Sequence, residues 1–253
     1  MNSTGNTILV TGGGSGIGRG LAEALHAEGN QVIIAGRRRS VLEETAAANP
    51  GMQWLTLDIE DAAAIRNFAA EITAKFPALN VVINNAGIMR PESLTAEPVD
   101  LTNAEAIVTT NLLGPIRLTA ALLPHLKRQA HATVINVSSG LAFVPLTLTP
   151  TYNATKAAIH SYTQSLRYQL RTTAVEVLEL IPPYVQTDLM GGASDPRAMP
   201  LKEFLAEVVS LLKQQPTPAE ICVERVKPLR FAAENGSYAG VFEGLNSAMA
   251  DLS

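Results

Sequence analysis

The chain of 253 residues carries a single cysteine, Cys222, which excludes an intramolecular disulfide framework and any Cys-based zinc site. Aromatic residues are scarce at 5%, with one tryptophan. Basic residues are not in excess: 19 Lys and Arg stand against 23 Asp and Glu, a net charge of −4, so no basic face for a nucleic acid is implied. The dense basic cluster is Arg37-Arg38-Arg39. The four histidines, His26, His125, His131 and His160, show no metal-ligand spacing, and no metal site is expected. No charged leader with an apolar core opens the chain, and no run of about 18 apolar residues follows. These absences predict a cytoplasmic protein that binds neither nucleic acid nor membrane.

What is present is an alternation. Short β-branched runs at 7–10, 31–35, 53–57, 81–84, 133–138, 175–180 and 238–242 are separated by Ala/Leu/Glu segments near 17–28, 38–48, 61–75, 103–128, 152–171 and 218–233. That rhythm is the signature of repeated βαβ units around a parallel sheet. No Pro- or Ser-rich linker divides the chain, so residues 1–253 read as one α/β domain with a doubly wound, seven-stranded parallel sheet. Pro, Gly and Met interrupt the rhythm after Pro182, and the insertion at about 183–217, with an extra helical piece at 201–213, is expected to form a substrate lid.

Five glycines crowd into positions 12 to 18, between a buried strand and an amphipathic run. A strand, a bare turn and a helix present backbone N–H groups and a helix dipole to an anion, which is how a dinucleotide pyrophosphate is held. The spacing is T-G-x-x-x-G-x-G, on Thr11, Gly12, Gly16 and Gly18, rather than G-x-G-x-x-G; Gly14, Ser15 and Ile17 complete the expected contacts. The second strand ends in Gly36-Arg37-Arg38 with no carboxylate, which favours the 2′-phosphate of NADP over the ribose of NAD, the alternative. Asp58, followed by Ile59, ends the third strand, either near the adenine or as a helix N-cap.

Tyr152 and Lys156 are four apart at the start of a helical segment and so share one face. A neighbouring ammonium favours the phenolate, which lets Tyr152 exchange a proton with a carbonyl or alcohol oxygen. Ser139, at the end of a strand, is placed to donate a hydrogen bond to the same oxygen. Asn85-Ala86-Gly87 ends another strand, and Asn111 precedes Pro115, which has no N–H and leaves the Asn111 carbonyl without its α-helical partner. That carbonyl is expected to hold a water linking Lys156 to solvent. Leu141, Phe143, Leu146, Tyr184 and Met190 follow strand ends and are expected to wall an apolar substrate site.

With these motifs in this order, the chain resembles the compact short-chain dehydrogenases/reductases over nearly its whole length, Thr7 to about Gly244. Ser139-Gly-Leu-Ala-Phe143 and Pro182-Pro183 resemble most the DltE-like oxidoreductase branch. The resemblance implies a Rossmann fold, hydride transfer with a nicotinamide cofactor, a homodimer or homotetramer, Ser139 as catalytic serine, and Lys156 on the nicotinamide ribose. It also implies Val185 and Thr187 against the carboxamide. Pro183 replaces the family's usual glycine beside Pro182, and Ser15 stands where many NADP-preferring members carry a basic residue. The activity implied is interconversion of a carbonyl and an alcohol, with a hydrophobic or aromatic ketone as the favoured substrate. The alternatives are a non-catalytic dinucleotide sensor or scaffold on the same fold and a cofactor-retaining epimerase or dehydratase.

Overall fold

The computed structural model of the chain describes residues 1–250. Seven parallel strands run in the order β3-β2-β1-β4-β5-β6-β7. They are β1 Thr7–Thr11, β2 Gln31–Gly36, β3 Gln53–Thr56, β4 Leu79–Asn84, β5 Ala132–Val137, β6 Val175–Ile181 and β7 Glu220–Cys222. The order reverses direction between β1 and β4, and that switch point opens a crevice at the strand ends.

Strands β1 and β5 are buried along their whole length, and β2, β4 and β6 over most of theirs, which is why they read as apolar runs instead of alternating ones. Their two faces feed two cores. Ile8, Val10, Val32, Ile34, Ile83 and Leu178 pack against α1 (Gly16–Ala27) and α7 (Leu201–Leu212). Leu9, Ile33, Val82, Val134 and Val177 pack against α3 (Ala62–Lys75), α5 (Gly114–Leu126) and α6 (Pro150–Leu170). Helix α2 (Arg39–Ala48) flanks β2 and β3.

Two sequence expectations change. Residues 238–242 form no strand: they open helix α9, Tyr238–Ala248. The seventh strand is instead Glu220–Cys222, inside the segment expected to be helical, of which only α8 (Lys227–Arg230) and a 3₁₀ turn at Glu224–Val226 are helical. The β-branched Ile221, paired beside Leu180 and fully buried, decides the strand; Gly240 and Gly244 lie open on the surface of α9.

The long helix expected at 103–128 is interrupted. Helix α4, Thr102–Val108, widens into a π turn at Thr109–Leu113, where the Gly114 N–H bonds the Thr109 oxygen, and then continues as α5. Pro115 causes this by withholding an N–H from the ordinary ladder. Although Thr102–Leu126 is apolar and long enough to cross a membrane, its Leu118, Leu122 and Leu126 are packed into the core. The segment expected to be a lid also divides. Phe204, Val208 and Leu212 fix α7 in the core, each burial contributing about 1.5–3 kcal/mol, whereas residues 184–190 reach the crevice.

Candidate active site

The crevice is a cleft of ≈ 470 Å³ beyond the C-terminal ends of β1, β4, β5 and β6. One end is bare backbone. Gly12 sits at φ +67°, and a Cβ there would stand 2.9 Å from the Asn85 amide nitrogen. At Gly18 a Cβ would lie 2.3 Å from both that nitrogen and the Gly12 oxygen. The glycines are thus demanded by close approach of two loops, which Thr11 sews together: its hydroxyl accepts from the Asn85 and Ala86 N–H groups at 3.0 and 3.1 Å, and its carbonyl accepts from the Asn85 amide at 2.9 Å. Ser15 precedes α1 without capping it by its side chain, so the first N–H groups of the helix remain available at the cleft. This cradle fits a dinucleotide pyrophosphate.

Arg37 and Arg38 both border the cleft, but they do different things. The Arg37 guanidinium pairs with Glu60 at 2.8 Å, and Glu60 also accepts from the Thr110 hydroxyl at 2.9 Å. Arg38 bonds the Ser15 hydroxyl at 3.0 Å, at the mouth of the cradle.

The middle of the cleft gathers Ser139, Tyr152 and Lys156, all less than 9% exposed. Ser139 ends β5, and its hydroxyl caps the 3₁₀ turn Gly140–Ala142 by accepting from the Leu141 N–H at 3.1 Å. Tyr152 and Lys156 rise from the first turns of α6, with the ammonium 5.5 Å from the phenol ring centroid. Lys156 donates to the Val137 oxygen at 2.8 Å. Burial pushes the Tyr152 phenol up to about 12, and its hydrogen bond with Ser139 works in the opposite direction. Burial also lowers the Lys156 ammonium to about 8, opposed by the negative charge of Glu179.

The far end is apolar. Leu141, Leu146, Tyr184 and Met190 border it, joined by Leu229 of α8 and by Leu245 and Met249 from α9 and its end. The Tyr184 hydroxyl is held by Asp195 at 3.2 Å, and Met190 adopts φ +54°, a backbone state that costs a non-glycine residue about 1 kcal/mol. Helix α9 buries no residue of its own; it is fastened by Asn246, which accepts from the Thr147 N–H and hydroxyl at 2.7 and 2.8 Å.

Of the remaining expected contacts, Gly16, Ile17, Ile59, Ala86, Gly87, Pro182, Val185 and Thr187 border the cleft, and four residues do not. Gly14 packs towards Val41 on the far side of its turn. Asp58 is exposed and accepts from the Glu60 N–H at 3.0 Å; the N-cap of α3 is Asp61, which accepts from Ala63 and Ala64. Phe143 turns away into a stack beneath Arg230, 4.5 Å from the ring centroid, and against His160 at 4.7 Å. Asn111 faces Ile88, clasping its N–H and its carbonyl at 2.8 Å each, and so shapes the cleft wall from behind.

Sequence reasoning missed Ser138, Ile88, Met89, Leu229, Leu245 and Met249. Only Ser138 carried a local signal, next to Ser139; the others reach the cleft through chain folding. It also gave His160 no metal-ligand role. In the structure His160 Nδ1 meets the fully buried Glu179 at 2.8 Å, and Glu220 lies close enough for the three side chains to bring donor atoms within 4.8 Å. Arg230 holds both Glu220 oxygens, at 2.7 and 3.1 Å, and occupies the cationic place in that cluster.

Sheet order, cradle and buried Ser-Tyr-Lys group together place the chain among the Rossmann-type oxidoreductases. More narrowly, it belongs to the short-chain dehydrogenase family, whose model matches residues 6–198. It is 37% identical to the uncharacterized oxidoreductase DltE of Bacillus subtilis, over 98% of this chain and 99% of that protein. Among solved structures, a short chain dehydrogenase from Burkholderia cenocepacia in complex with NADP superposes with a TM-score of 0.81 at 25% identity, covering 97% of this chain and 99% of that one. A 3-ketoacyl-(acyl-carrier-protein) reductase from Brucella melitensis complexed with NADH gives 0.76 at 27% identity, over 85% and 93% of the two chains.

Proposed function

We propose that the chain is an NADP(H)-dependent reductase of a hydrophobic or aromatic ketone or aldehyde, working in reverse as an alcohol dehydrogenase. The observation that carries the reading is the burial of Ser139, Tyr152 and Lys156 in one cleft between a glycine cradle and an apolar wall. A nicotinamide cofactor supplies the hydride.

Tyr152 gives its proton to the carbonyl oxygen as the alcohol forms, and takes one back in the opposite direction. Its high phenol value, raised by burial, means that it holds the proton firmly at neutral pH. The Lys156 ammonium beside it stabilises the phenolate left after transfer, so it must stay charged for the step to run. Ser139 donates a hydrogen bond to the same oxygen and orients it toward Tyr152. Asn111 acts through Ile88 by fixing the wall.

Arg38 supports NADP as cofactor. Its guanidinium and the Ser15 hydroxyl stand together at the cradle mouth, where the 2′-phosphate would lie, and no carboxylate ends β2 to receive a ribose hydroxyl. The half-strained segment around Met190 supports closure of residues 184–190 over substrate.

The test is oxidation of NADPH and NADH in parallel against aryl and aliphatic ketones, with Tyr152→Phe as control. Turnover with NADPH that vanishes in the control establishes the reading. Tight cofactor binding with no turnover of any carbonyl would favour the sensor instead.

A further inference from the structure

Glu179 is a carboxylate in the middle of β6, with no exposed side-chain surface, on the sheet face that α6 covers. A buried charge costs several kcal/mol unless other charges and hydrogen bonds compensate it. The compensation here is complete and leads to the active site. One oxygen accepts from Ser138 Oγ at 2.5 Å, and the other from His160 Nδ1 at 2.8 Å. The Gln164 amide nitrogen at 3.1 Å from His160 Nε2 makes that nitrogen the acceptor, which leaves the ring proton on Nδ1, facing the carboxylate. The His160 ring therefore orients Glu179 through its Nδ1–H.

The positive charge that answers Glu179 is one helical turn away. Lys156 precedes His160 on the same face of α6, and its ammonium is tied to Val137, the neighbour of the serine that Glu179 holds. The other charged groups near Glu179 and His160 are accounted for elsewhere: Glu220 of β7 is matched by Arg230 of α8, Glu234 also pairs with Arg230, and Cys222 of β7 is a thiol held above its ordinary value chiefly by burial.

We propose that Glu179 is a positioning residue of this active site: its carboxylate is the buried counter-charge that keeps Lys156 protonated, held in place by Ser138 and His160. Removing it leaves the buried ammonium with the Val137 oxygen but without that negative charge. Its consequence for turnover rests on the oxidoreductase reading, but the charge pairing itself does not.

The experiment follows Lys156 directly, by NMR titration of the cofactor-free protein labelled with [ε-¹³C]lysine, with the signal assigned by its loss in Lys156→Met. Glu179→Gln is expected to lower the Lys156 midpoint by about one pH unit, a tenfold change in its ionisation constant. Glu179→Asp, which keeps the charge, should return most of that shift, and Ser138→Ala should leave the midpoint near wild type. A midpoint unmoved in Glu179→Gln overturns the proposal. If Glu179→Gln alone does not fold, the double variant Lys156→Met/Glu179→Gln decides: a folded double variant supports the pairing, and one as unstable as the single variant refutes it. A midpoint shift in a protein that reduces no carbonyl would keep this inference and remove the reductase reading; turnover without the shift would do the reverse.

Discussion

Lys156 spends one ammonium proton on the Val137 carbonyl oxygen, 2.8 Å away, in a site where burial has already brought its titration to about 8 while lifting that of Tyr152 to about 12. Carbonyl reduction needs both protons, and the ammonium is the first to leave as pH rises. The kcat/KM for reduction is therefore expected to be level below about pH 8 and to fall above it, approaching tenfold per unit, in a pH-rate profile. A level profile through pH 10 would remove Lys156 from the step.

Arg38 and Arg37 should separate under substitution. Arg38→Ala removes a guanidinium from the cradle mouth and is expected to raise KM for NADPH by roughly 10- to 100-fold, the worth of a hydrogen bond to a charged group, with KM for NADH nearly unchanged. Arg37→Ala should do much less, because that guanidinium is engaged by Glu60. Initial rates with both cofactors measure the difference.

Two glycines should respond in opposite ways to the same added methyl. Gly18→Ala forces a Cβ to within 2.3 Å of the Gly12 oxygen and the Asn85 amide, so it is expected to cost about 1–3 kcal/mol and to abolish dinucleotide binding. Gly240→Ala, in α9 with nothing within 4 Å, is expected to be neutral or to stabilise by up to about 1 kcal/mol. Thermal melts with and without NADPH report both.

Asn111→Ala strips Ile88 of the partners of its N–H and its carbonyl. The loss of two partly buried hydrogen bonds is expected to cost about 1–3 kcal/mol, visible in urea denaturation, and to weaken cofactor binding through the displaced wall.

Asn246→Ala should act on substrate alone. It releases α9 from Thr147, and with it Leu245 and Met249 from the apolar end of the cleft, far from the cradle. KM for a bulky ketone is expected to rise several-fold, with the Kd for NADPH unchanged by fluorescence titration.

The sequence was most legible where one local pattern served one purpose. The first six strands, the glycine turn and the Tyr152–Lys156 face follow from periodicity, close approach and helical spacing, each confined to a few neighbouring residues. Failure came where distant chain decided the outcome. Three residues, Glu220–Cys222, count as a strand only because Glu179–Ile181 offers them an edge to pair with, and 238–242 is helical despite its β-branched and aromatic content. Leu245 and Met249 entered the site by the same long route. Phe143 failed differently: it lies two residues after Leu141, and the 3₁₀ turn at Gly140–Ala142 sends the two side chains to opposite sides.

That turned ring has an electrical consequence. Phe143 packs under Arg230 and in a T-shaped contact with His160, so hydrocarbon lies against the imidazole that orients Glu179. A smaller side chain there would open the gap to water and raise the local dielectric, weakening the hold of Glu179 on Lys156 without touching either residue. Redesign of the substrate wall is therefore better directed at Leu141 and Leu146, with Phe143 kept as packing for His160.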